Sequence, residues 1–211
     1  MSHTRLFQVK FNSPIDPEED QIIGEHDEDV LSEVQMALSM CDYVAPLEYG
    51  SIKDAVEDKV YFLKWFADKL GRLCDEKIDL VTNGATGEIY LDIPTSSTLT
   101  LVANYKDKCR EAADNFKESF HSFRDDGRRN GLCDGSGELN LGDTYSFRLA
   151  VNFLNSYLLF YDCTDYQGYP ITPRGLLELI CIQYTRFSGE DSEPTPPYIR
   201  IYFGDCLDVH Y

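Results

Sequence analysis

Basic residues are scarce in this chain and unevenly placed. Its 211 residues hold 19 Lys and Arg against 37 Asp and Glu, a formal net charge of -18. Between positions 11 and 52 there is neither Lys nor Arg, while eleven acids fall there. Phosphate-binding proteins cluster cations, so a nucleic-acid surface built on overall basicity is excluded. Long apolar runs are missing too: none approaches the ~18 residues of a membrane helix. The opening Met1-Ser-His-Thr-Arg-Leu6 has no apolar signal segment. The expectation is a soluble, cytoplasmic protein with no membrane partner.

Metal and nucleophile chemistry are equally short of material. The four histidines, His3, His26, His121 and His210, show no H-x-x-x-H spacing, so neither a metal nor a cofactor is expected. The seven cysteines, Cys41, Cys74, Cys109, Cys133, Cys163, Cys181 and Cys206, are never closer than eighteen positions. That spacing excludes C-x-x-C and zinc-knuckle motifs and reads as reduced, mostly buried thiols. There is no G-x-S-x-G and no Gly-Lys-Ser/Thr. Gly135-Ser-Gly-Glu-Leu-Asn140 is glycine-rich, but no strand precedes it and Asn140 stands where a third glycine belongs. As a calcium loop from Asp134 it fails as well, with Leu139 at the turn position and Tyr145 at the bidentate position. No catalytic residue is assigned, and the chain reads as non-enzymatic.

What is present is patterned for an α+β chain. Phe7, Val9 and Phe11 alternate on one face of an opening strand. Residues 27–41 carry a helical apolar stripe, Val30, Leu31, Val34, Ala37, Leu38 and Cys41. Ala45-Pro46 then interrupts the pattern. Ser51 with Asp54 predicts the start of a helix bearing Ile52, Val56, Val60, Leu63, Phe66, Ala67 and Leu70 inward and ending near Gly71. Residues 78–82 and 88–93 read as a hairpin turning at Asn83-Gly84. Thr98–Ala103 fits strand or helix. A 3.6-residue period runs from Tyr105 to Phe123, followed by a flexible Gly/Asp/Arg loop over 125–142. Asp143 is placed to cap an apolar central helix to about Tyr161, and Thr172-Pro173 to start another through Tyr184. Tyr198–Phe203 closes the series as a strand. The expectation is one α+β domain over 1–211, with a helical core of about five helices and a small, mostly antiparallel sheet. Without βαβ alternation, a Rossmann-type sheet is not expected.

Leu179-Ile-Cys-Ile-Gln183 resembles the active-site helix of ribosome-inactivating N-glycosidases over about a dozen residues. That family needs a Glu three positions before the arginine that corresponds to Arg186, and the chain has none. The likeness implies no activity here.

Charge therefore carries the functional reading. The acidic segment 12–51 contains Asp16, Glu18, Glu19, Asp20, Glu25, Asp27, Glu28, Asp29 and Glu33. Interspersed Lys would relieve their mutual repulsion, and none is there. A row of carboxylates can imitate duplex DNA, which presents one negative charge per ~1.7 Å of axis. The expected function is an acidic inhibitor or binding protein for a basic, nucleic-acid-handling partner, of the kind found among anti-CRISPR and nuclease-immunity proteins. It would not bind nucleic acid itself. Its carboxylates would take Arg and Lys sites, with Tyr43 and Tyr49 as aromatic anchors. The alternatives are a carboxylate-dependent enzyme acting on a nucleotide or glycoside, and a structural subunit joined through the aromatic segment 147–161.

Overall fold

The computed structural model describes residues 3–16, 18, 20, 43–47, 51–111, 114, 158–163, 170–187 and 195–210. Within them the chain builds one seven-stranded mixed sheet. Its elements are β1 (His3–Phe11), β2 (Tyr43–Pro46), α1 (Ile52–Cys74), β3 (Leu80–Thr82), β4 (Ile89–Pro94), α2 (98–111), β5 (Leu158–Asp162), β6 (Pro170–Ile171), α3 (Pro173–Phe187) and β7 (Tyr198–His210). A single 3₁₀ turn, Thr95–Ser97, joins β4 to α2.

The strand order is β3-β4-β7-β1-β5-β6, with β2 also on β7. β7 is the spine. Along one edge it pairs antiparallel with β1, and along the other with β4 through its first half and β2 through its second. β1 and β5 run parallel, with Phe7 opposite Phe160. Between Phe7 and Val9 the register shifts against β7, because Phe7 faces Cys206 and Val9 faces Phe203. Gly204 and Asp205 therefore stand against Gln8 alone as a β-bulge.

The three helices among the described residues all contribute to one face. Phe7, Val9, Phe160, Leu91, Ile93, Ile199 and Ile201 meet Leu63, Phe66 and Leu70 of α1, Leu101 of α2 and Leu176, Leu177 and Ile180 of α3 in a single cluster. Leu6, Val44, Leu159, Tyr161, Leu207 and Val209 form a second buried cluster. Strand alternation puts these residues on the opposite face.

Local signals explain the helix ends. Asp54 N–H donates to Ser51 Oγ at 3.2 Å to open α1. Gly175 N–H donates to Thr172 Oγ1 at 3.3 Å, and Pro173 takes the first position of α3. α1 runs past Gly71 to Cys74 and stops on Asp75, whose φ of 55° is left-handed. Gly71 lets the chain fold back on itself, since a Cβ there would lie 2.6 Å from the Glu76 carbonyl oxygen. In the hairpin, Gly87 takes a φ of 76° and its N–H donates to the Asn83 carbonyl.

Several expectations are corrected. The helical core of about five helices with a small sheet gives way to three helices among the described residues, on a broad mixed sheet whose pairings are antiparallel except for β1 with β5. Leu158–Tyr161, expected to end a helix, is strand β5. Ala45-Pro46, expected to be an interruption, belongs to strand β2 (Tyr43–Pro46). Thr98–Ala103 is helix. Val56, expected inward, is 40% exposed. The helix over 27–41, the Asp143 cap and the loop over 125–142 lie outside the described residues. Among the described residues no helix is long and apolar enough to cross a membrane.

Candidate functional site

The acidic segment begins where β1 ends. Asn12 leaves the strand with a φ of 60°, a conformation asparagine tolerates better than most residues. It is also held from several sides. Its N–H donates to the Arg200 carbonyl at 2.9 Å, and its Oδ1 accepts from the Arg200 N–H at 3.1 Å. Its amide group donates to Gln183 Oε1 of α3 at 3.4 Å. The direction in which the chain departs is thereby fixed.

A tight acidic turn follows. Asp20 N–H donates to the Asp16 carbonyl at 2.7 Å, Asp16 N–H to Asp20 Oδ2 at 2.7 Å, and Glu18 N–H to Asp16 Oδ1 at 2.9 Å. These are side-chain turns of the kind Asp makes locally. The turn is clamped to the sheet because Lys10 of β1 donates to both Asp20 oxygens, at 2.8 and 2.6 Å. Both side chains are shielded there, at 14% and 7% exposure. Ile15 adds an apolar contact on the bulge, where a Cβ on Gly204 would lie 2.7 Å from Ile15 Cδ1.

The expected partner-binding acids thus separate. Asp16 and Glu18 are exposed and have no ion-pair partner among the described residues. Asp20 is paired with Lys10. Glu19, Glu25, Asp27, Glu28, Asp29, Glu33 and Tyr49 lie outside the described residues. Of Tyr43 only the backbone is described, paired with His210.

Next to the turn lies a patch that the sequence reading missed. Lys10 pairs in register with Tyr202, and Tyr202 with Tyr90. Two residues along β7, Arg200 grips Asp92 with both arms, at 2.6 and 2.7 Å. The Arg200 guanidinium also stacks 4.0 Å above the Tyr90 ring. These contacts raise the arginine's pKa, chiefly through the hydrogen bond to Asp92 and then that to Tyr202. Tyr90 and Tyr202 are half-buried, their centroids 5.5 Å apart, and Tyr198 is 49% exposed. Arg and Tyr are the residues that most often anchor interfaces. The available signal was the alternation Tyr198, Arg200, Tyr202 on one face of a strand whose other face is apolar.

Other chemistry is thin. No group of three His, Cys, Asp or Glu converges to hold a metal among the described residues. A depression of about 560 Å³ at the end of α1 is lined by mixed charges, including Lys64, Asp68, Arg72, Asp75 and Lys77. None of the five cysteines among the described residues is in a disulfide. Burial first, then Glu76 and Asp75, pushes the Cys74 thiol up to about 12. Burial pushes Cys163 up to about 11 against a hydrogen bond from Gln8. Neither thiol is primed as a nucleophile. Compared with family models, curated proteins and solved structures, the chain matches none.

Proposed function

We propose that the chain is an acidic binding protein, of inhibitor type and without catalysis of its own, that docks on a cationic nucleic-acid-handling protein. Asp16 and Glu18 are its leading contacts, followed by Glu19, Glu25, Asp27, Glu28, Asp29 and Glu33. The observation that carries this reading is the Lys10–Asp20 clamp. It holds the first turn of the acidic segment in one conformation and leaves Asp16 and Glu18 exposed. Fixed carboxylates lose less conformational freedom on binding than mobile ones, which favours a charge-steered encounter. The basic side chains favour the same reading. Arg5, Lys10, Lys59, Arg72, Arg174 and Arg200 each pair with an acid of the same chain. Bases tied in this way present less charge to an anionic polymer. The neighbouring Tyr90, Tyr198 and Tyr202 supply aromatic area for contact, a role first expected of Tyr43 and Tyr49.

The test is competition. A partner recovered by affinity capture from lysate is loaded with duplex DNA and then titrated with this protein. Mutual exclusion, lost on charge reversal of Asp16 and Glu18, is the expected result. Simultaneous binding of DNA and this protein contradicts the reading.

A further inference from the structure

Residues of α2 and α3 share the walls of a groove of about 750 Å³. That volume lies within the roughly 300–1,000 Å³ typical of small-molecule clefts. Its walls are apolar, with Leu101, Val102 and Tyr105 from α2 and Leu177, Cys181 and Ile182 from α3. Leu101 and Leu177 belong to the core, so the floor is rigid, whereas Ile182 is 44% exposed at the opening.

Charge at this opening departs from the rest of the molecule. Among the described lining residues, Lys106, Arg110 and Arg174 stand against one acid, Glu178, in a chain of net charge -18. Arg110 and Arg174 are each tied to an acid of their own helix, Asp107 at 2.8 Å and Glu178 at 3.1 Å. Lys106 has no ion-pair partner among the described residues. Its charge is felt on α3: burial and Glu178 raise the Cys181 thiol, while the Lys106 ammonium opposes them. An apolar slot whose mouth carries a cation that no described acid pairs with matches a ligand with an apolar tail and an anionic head.

We propose that this groove binds a small alkyl carboxylate, its chain lying on Val102, Leu177 and Ile182 and its carboxylate on Lys106. The field of the whole molecule repels anions, but salt screens it beyond ~8 Å at physiological ionic strength. At contact distance Lys106 decides. This site is separate from the acidic turn and does not depend on the partner proposed for it.

The probe is decanoate below its micellar concentration, titrated into the full chain and followed by amide NMR shifts. Decyltrimethylammonium, with a like tail and a cationic head, and butyrate, with the head and little tail, serve as comparisons. Expected are saturation at one equivalent, shifts centred on residues 101–110 and 174–182, and affinity at least tenfold above either comparison. Lys106→Glu and Ile182→Asp, both at exposed positions, should each weaken binding tenfold or more with unchanged thermal melts. Raising salt from ~0.05 to ~0.3 M should not weaken decanoate binding, the reverse of what the acidic turn predicts for a protein partner. No saturation, equal affinity for the cationic probe, or full affinity in both variants would overturn the proposal.

Discussion

Asp20 shows how one partner changes the meaning of a charge. With its carboxylate shielded and gripped by Lys10, it fastens the turn to the sheet. Asp20→Ala should cost about 2–3 kcal/mol, because it strands a shielded ammonium and removes a charge-assisted hydrogen bond. Asp16→Ala, at an exposed carboxylate, should change stability by less than about 0.5 kcal/mol. Denaturant titration of both variants checks the contrast, and equal losses would mean that the clamp is not what holds the turn. The buried thiols make a separate forecast. The folded pKa values of Cys74 and Cys163, about 12 and about 11, lie above the ordinary value of 9.0. Above pH ~9 the unfolded chain gives up these protons while the folded chain keeps them, so stability must fall with rising pH. The protonated thiols contribute stability in full below ~9, and that contribution is lost as pH climbs through the folded values. Melts between pH 8 and 10.5 should show this slope, and Cys74→Ala should flatten it. A slope identical to wild type in that variant would contradict the assignment.

At the level of elements, Gly71 is a position where α1 and the chain beyond it come very close. A methyl group there meets backbone rather than a flexible side chain. Gly71→Ala should therefore destabilise by about 1–3 kcal/mol, although alanine favours helix. An unchanged melt would show that the reversal after Cys74 has room to relax. The parts of the fold that were legible from sequence had distinct local chemistry. These were the alternation of β1, the Asn83-Gly84 hairpin, the Ser51 and Thr172 caps, and the apolar face of β7. Strand β5 was read as helix because Leu158–Asp162 is buried at every position and has no two-residue alternation to display. β7 was expected to stop at Phe203 because the bulge at Gly204 and Asp205 places the next inward residue, Cys206, three positions on instead of two. β2 and β6 owe their strand form to neighbouring strands, and a span of four or two residues shows no period. The candidate site was half legible. The acid excess was plain, but the base that neutralises Asp20 stands at position 10, just outside the stretch that has none. The Arg200–Asp92 pair joins residues 108 positions apart and needed the sheet register to appear.

For the whole molecule, the account makes charge placement, rather than total charge, responsible for binding. Net charge of -18 alone would speed encounter with any cationic surface and give way to salt uniformly. A fixed turn predicts that two carboxylates matter more than two others of equal charge. The direct measurement is the association rate with the captured cationic partner, at ~0.05 and ~0.3 M salt. It compares the wild-type chain, the pair Asp16→Lys and Glu18→Lys, and the pair Glu190→Lys and Asp191→Lys. Both variants change net charge equally, and neither touches Asp20. The account predicts that the first pair slows association tenfold or more at low salt and that most of the difference disappears at high salt. The second pair should slow it by no more than about threefold. Equal slowing by the two pairs, or none from the first, would contradict the claim that the clamped acidic turn is the binding surface.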